Sequence, residues 1–324
     1  MRFGRFSFMM AFAVLLFAQP AFSQDASVSN SSGDDSSSGS GSAVSGQATN
    51  PQASSAQGTT PAAAPTTTTA SDGNYFSNWF KRVDATQAEQ PHWITPIATT
   101  TPRLEEEFRY DNFWQTNNEG LTTVNYDGNK GLELIPFRRV EIILQIPAYI
   151  DHNNPADRNG WGDFAFLIKY RILSGNEKHG NYILTAFLGV SIPTGSYSNG
   201  NPDPIITPTI AYGKGLGNFD IQGTFGIALP TGDEHTIGTT TPWNNTFQYR
   251  VFKKFWPEVE DNFTHYINGE HDGMYQNFLT PGLVIGRLHL FNRVGLTIGG
   301  GFQIATTRFH TNNHNGLFSV RFPF

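Results

Sequence analysis

The chain has 324 residues, a formal charge of -6 and no cysteine. Without cysteine there is no disulfide scaffold, no thiolate metal site and no acylated lipoprotein cysteine, and without a Lys/Arg cluster there is no footprint for nucleic acid. Hydrophobic residues make up 38 % of the chain, yet 27 of the residues are phenylalanine, so apolar mass is concentrated in aromatics and not spread through an ordinary core.

Residues 1–23 read as a secretory signal. Arg2 and Arg5 give a positive start, residues 8–18 are apolar, and residues 21–23 offer small side chains for cleavage. Such a stretch is too short to span a bilayer, which needs about 20 apolar residues. The Ser/Thr/Ala/Gly-rich segment 24–73 has almost no large apolar side chain, and disorder is expected there because little burial offsets the entropy of ordering. Over 74–101 the sequence predicts a short amphipathic helix and a lead-in. Phe76, Trp79, Phe80 and Val83 share a face, with Asn74 as cap. That pattern suits a membrane interface and equally the base of a larger structure.

From residue 102 to the end the period becomes two. Val140, Ile142, Leu144, Ile146 and Ala148 oppose Glu141, Gln145 and Pro147; Phe164, Phe166, Ile168, Tyr170 and Ile172 oppose Asp163, Lys169 and Arg171. Phe219, Ile221, Phe225, Ile227 and Leu229 oppose Asp220, Gln222 and Thr224, and Val294, Leu296, Ile298, Phe302 and Ile304 oppose Thr297, Gln303 and three glycines. These runs are about twice the five or six residues of an ordinary globular strand. Their length predicts an all-β fold, a transmembrane antiparallel up-and-down β-barrel of about twelve strands over 102–324. Short connections (136–139, 174–179, 214–218, 254–256, 289–292) alternate with longer polar ones (116–130, 151–161, 194–203, 231–241, 268–274, 310–315), as periplasmic turns and extracellular loops do. An even strand count leaves both barrel ends on the periplasmic side.

The last strand alternates to the final residue, with Phe318, Val320, Phe322 and Phe324 on one face. This resembles the C-terminal signal of outer-membrane barrels, which implies the barrel-assembly machinery and outer-membrane lipids as partners. Pro323 donates no ladder hydrogen bond and is expected where pairing has ended.

A secreted β-sandwich also alternates, but its inner faces meet in one core and its strands are shorter. Here the second face carries Glu105, Glu107, Arg109, Glu141, Lys169, Arg171, Arg250, Glu258 and Arg321. Charges rarely sit unpaired on a buried sheet face, so they are assigned to a lumen. Glu105, Glu107, Arg109, Glu141, Lys169, Arg171 and Arg250 are the candidate selectivity residues. Eight strands leave room only for side chains and about 16–18 leave an aqueous channel; twelve falls between, leaving both an open and a plugged lumen in play.

Two stretches, FLGVSIPTG (187–195) and TFGIALPTG (224–232), end rising strands with the same Pro-Thr-Gly, where glycine would permit positive φ. Together with GWGDFAFLIKYRIL (160–173) they make the chain from about Pro102 onward resemble the outer-membrane transporters of the MetA-pathway phenol degradation family. The resemblance implies passive uptake of a small-molecule solute of hydrophobic or aromatic character, with no cofactor. A structural or partner-binding barrel is the alternative. A rim hydrolase is weaker: His271 with Asp272, His235 with Asp233 and Glu234, and His310 with His314 fall in loops. No Gly-x-Ser-x-Gly, His-Glu-x-x-His or phosphate loop is present.

Overall fold

A computed structural model describes residues 74–127 and 130–324. The predicted export signal and Ser-rich stretch lie outside the described residues. Twelve wall strands follow one another in chain order: β1 (Glu107–Asn117), β2 (Thr122–Tyr126 continuing as Gly131–Phe137), β3 (Val140–Gln145 continuing as Tyr149–His152) and β4 (Gly160–Trp161 continuing as Phe164–Gly175). They continue as β5 (Tyr182–Ile192), β6 (Ile205–Leu216), β7 (Phe219–Gly226 continuing as Leu229–Pro230) and β8 (Thr240–Tyr249). The last four are β9 (Phe255–Tyr266), β10 (Tyr275–Phe291), β11 (Val294–Ala305) and β12 (Asn312–Pro323). Each pairs antiparallel with the next, and β12 pairs with β1 from Glu107↔Pro323 to Asn117↔Asn312. The sheet therefore closes on itself and leaves no edge strand.

The predicted faces hold along most of the wall. Ile168, Tyr170, Leu188, Ile210, Phe247, Val259, Leu283 and Phe318 are exposed on the outside, while Lys169, Thr185, Gln222, Glu258 and Arg321 are buried inside. Exposed aromatics gather near both ends of the wall, with Trp114, Tyr126, Trp243 and Tyr275 toward the long loops and Phe137, Tyr249, Phe252 and Phe291 toward the short turns. A barrel seated in a bilayer carries two such girdles.

Four details differ from the sequence-based expectation. The first long loop shrinks to residues 118–121, because Thr122–Tyr126 already pairs with β1. In β3 the alternation fails after Ile146, and Ala148 is fully buried instead of facing out. Pro147 lies in that break, and a proline has no N–H for the ladder. The Pro-Thr-Gly glycines do not have positive φ; they are small because space is short, and a Cβ on Gly232 would sit 2.8 Å from the Asp203 carboxylate. Pairing also does not stop before Pro323. On the β1 side it runs on until the Phe324 N–H donates to Glu106 O at 3.0 Å, whereas on the β11 side the ladder ends at Thr297↔Arg321. In an antiparallel strand alternate N–H groups point to opposite neighbours, so Pro323 lacks its donor on the side where none is needed.

The predicted helix, α1, spans Trp79–Ala88 and lies across the turn end of the barrel. Val83 packs with Leu104 and Ile135 beneath it. Asp84 pairs with Arg293 in the β10–β11 turn, and Arg171 of β4 donates to Thr86 O at 2.8 Å. Of the predicted apolar face, Val83 and the partly buried Trp79 turn toward the barrel, while Phe76 and Phe80 remain exposed. Asn74 bonds the Phe76 N–H in the turn before the helix and does not cap the helix itself.

Candidate functional site

Between α1 and β1 the chain does not run along the outside of the barrel. Residues 90–106 enter the lumen from the turn end, reverse near Thr99–Thr101 and return to Glu107, with all but His92, Ala98 and Thr100 buried. Their polar groups have left water, so each needs a partner inside. The two legs first satisfy each other. The Gln90 amide donates to Leu104 O at 2.7 Å and accepts the Leu104 N–H at 2.9 Å. Arg103 donates to Pro91 O and Trp93 O and pairs with Glu105 at 2.6 Å.

The wall supplies the rest. At the tip of the segment, Arg321 donates to Thr95 O and Pro96 O, and Arg109 to Pro96 O and Ile97 O. Glu258 accepts the Ile97 N–H at 3.0 Å, and Glu260 accepts those of Ala98 and Thr99, each at 2.6 Å. Further round, Gln222 accepts from the Thr101 hydroxyl at 2.7 Å and donates to Ile94 O at 2.9 Å, Thr185 donates to Pro102 O at 2.6 Å, and Lys169 donates to Arg103 O at 3.2 Å. Hydrogen bonds with one charged partner are the strong kind. A buried charge left bare costs several kcal/mol, so wall and segment complete one another.

Two apolar anchors set the depth. Trp93 lies against Gly213, where a Cβ would come within 2.5 Å of its ring. Ile97, 1 % exposed, sits against Gly282, Gly299 and Gly301; Cβ atoms there would lie 2.6, 3.2 and 3.4 Å from its side chain. Trp93, Ile94, Ile97, Ile183, Trp256, Val284 and Leu317 form one buried cluster. Above the tip the lumen turns to uncharged polar side chains. Asn262 donates to Thr99 Oγ1 and Asn244 Oδ1, Asn244 to Thr224, Gln303 to Asn262, and Asn315 to Gln303. This belt crosses the inner face from β7 to β12.

The candidate residues divide by position. Glu107, Arg109, Glu141, Lys169 and Arg171 are buried on the inner wall. Lys169 pairs with Glu141 at 2.8 Å and lies 4.0 Å from Glu133, which stands opposite Glu107 in the β1–β2 ladder. Arg171 reaches the end of α1 through Glu89. Glu105 is on the returning leg of the inserted segment and not on a strand. Arg250 lies just past β8 at the turn end, half-buried, where it bonds Asn218 with its guanidinium over the buried Trp256 ring. Arg103, Asp111, Glu133 and Glu260 were not singled out by sequence reasoning. The alternation of β9 marks Glu260 as Glu258's neighbour on the inner face; for Arg103 no periodic signal exists. Of the loop histidines, His271 packs on the rings of Tyr266 and Phe309, and His310 bonds Asn313. Among the described residues no group of three or more His, Asp and Glu is placed to hold a metal ion.

At the turn end the lower leg is tied to the barrel by Glu177 in the β4–β5 turn. It accepts the His92 N–H at 2.7 Å and the His92 ring at 2.9 Å. Burial alone would raise this carboxyl, but the His92 bonds hold it below its ordinary value.

The sequence profile of the family described as "Putative MetA-pathway of phenol degradation" matches residues 103–307. The chain belongs to this family. No curated protein matches its sequence. Among solved structures it is similar to the COG4313 outer membrane channel from Pseudomonas putida F1, at 13 % identity and a TM-score of 0.54, covering 72 % of this chain and all of that one. The NanC porin aligns at 8 % identity and a TM-score of 0.43, over 66 % of this chain and 98 % of its own. At such identity the first likeness is one of fold, that of this family member's closed barrel.

Proposed function

We propose that the protein is an outer-membrane channel for small solutes, exported by its first 23 residues, whose lumen at rest is closed by residues 90–106. One observation carries this. Four wall charges beside the tip, Arg109, Arg321, Glu258 and Glu260, hold the inserted backbone, Arg109 while also paired with Asp111 at 2.7 Å, so the segment is bound as a ligand of a polar lumen. The similarity to a structure described as an outer membrane channel supports the same role. The family resemblance favours hydrophobic or aromatic solutes, whereas the Asn/Gln/Thr belt favours solutes with hydrogen-bonding edges; a phenolic or other polar-edged ring meets both conditions. The reading is one of passage, with no reaction assigned.

The filled lumen also favours a second reading, a structural or partner-binding barrel that never conducts. Planar-bilayer recording of the folded chain separates them. Gated current, and solute uptake by cells that depends on the protein, support the channel. A folded barrel silent even when the segment is loosened supports the second.

A further inference from the structure

The wall around residues 95–99 has the properties of a ligand site. Six backbone groups of this short stretch are held there: the carbonyls of Thr95, Pro96 and Ile97 by two arginines, and the N–H groups of Ile97, Ala98 and Thr99 by two glutamates. One side chain, that of Ile97, is seated against glycine. Thr99 is read more loosely, through Asn262 at 3.3 Å. The stretch bends at residues 97–99, and recognition of backbone plus one aliphatic side chain would serve any short peptide that bends the same way, not this sequence alone.

We propose that this seat, formed by Arg109, Arg321, Glu258, Glu260 and the Gly282/Gly299/Gly301 floor, binds short bent peptides with a branched aliphatic residue at the centre, and that residues 95–99 occupy it as an internal stand-in. The inference deepens the channel reading, which supplies the route by which a peptide reaches the seat. An incoming peptide meets the uncharged polar belt first and then competes with the segment for the same arginines and glutamates. Three glycines on adjacent strands β10 and β11 accommodate a side chain that comes from elsewhere in the chain. A wall built only to be plugged could fill that space with its own side chains.

The test uses the full chain in detergent, with folding read from heat-modifiable gel migration. Ile97→Gly weakens the hold on residues 95–99 without altering the wall, so that peptide competes for the seat more readily, and Ala98→Asp, which sets a carboxylate against Glu260, is the second such emptied variant. The probe is fluorescent acetyl-Thr-Pro-Ile-Ala-Thr-amide, capped because a free ammonium at its first residue would face the arginines. Saturable binding is expected by anisotropy, at least tenfold weaker when Glu260→Gln is added and lost when the central Ile of the peptide is Asp. In the wild-type chain, millimolar peptide should reduce the hydrogen-exchange protection of the Ala98 and Thr99 amides. If folded emptied variants bind the Ile and Asp peptides alike, or neither, or if the wild-type amides keep full protection, the proposal is overturned. Conductance measured in parallel keeps the two readings apart: current without peptide binding sinks this inference alone, and binding without current sinks the channel alone.

Discussion

Ile97→Ala isolates the inserted segment from the barrel that holds it. The substitution removes three carbons from a side chain that is 1 % exposed, about 2.4 kcal/mol at roughly 0.8 kcal/mol per methylene. The cavity left behind adds to this. Gly282, Gly299 and Gly301 have no side chains with which to fill it, so collapse is poor and a total of about 3–4 kcal/mol is expected. The ladders of β1 to β12 do not involve Ile97, so the loss falls on the equilibrium between filled and vacated lumen and not on the wall. A shift of about 3 kcal/mol is on the order of 150-fold in that equilibrium. In planar bilayers the open fraction should rise by about two orders of magnitude, or to saturation, with heat-modifiable migration unchanged. An open fraction equal to wild type in a folded Ile97→Ala barrel would refute the reasoning.

Two further outcomes are expected. The Glu177 carboxyl is held below its ordinary value of 4.5 in the folded chain, so its tether to His92 is complete above that pH and is lost as pH falls through the lowered value. Protection of the His92 amide should therefore drop as pH falls below 4.5, and Glu177→Gln should remove that step; an identical step in the variant would contradict the assignment. Deleting Phe324 removes the last backbone bond to β1, at Glu106, and the final outward aromatic. The folded fraction recovered from cells should fall several-fold while refolding in detergent proceeds, and equal recovery from cells would count against an assembly signal.

What the sequence discloses here is whatever repeats with period two. Closure, strand number and the inner placement of Glu141, Lys169 and Arg171 all follow from that alternation, because a residue's face is set by parity alone. The alternation misleads where a proline breaks the strand, as at Ala148. Residues 90–106 carry no period at all. Their conformation is fixed by bonds from wall side chains to their backbone, and backbone groups are the same in every sequence. Gly299 and Gly301 of β11 are visible in the sequence as a polar-face oddity, yet their cause, the Ile97 side chain, lies some two hundred residues earlier in the chain. For the same reason the lumen charges suggest a salt-bridge network when read alone, and a peptide clamp once the segment is in place.

The chain contains no cysteine, so a designed pair reports without background. A Cβ on Gly299 would lie 3.2 Å from Ile97 Cγ1, which puts the two Cβ atoms at most about 4.7 Å apart, close to the roughly 3.5–4.5 Å that a disulfide spans. The Ile97→Cys, Gly299→Cys chain, oxidised and then reduced in the same bilayer, asks directly whether residues 90–106 close the lumen. The oxidised barrel should carry no current, and reduction should bring gated openings within the same record. Equal current before and after reduction, with the crosslink shown to be complete, would contradict the account.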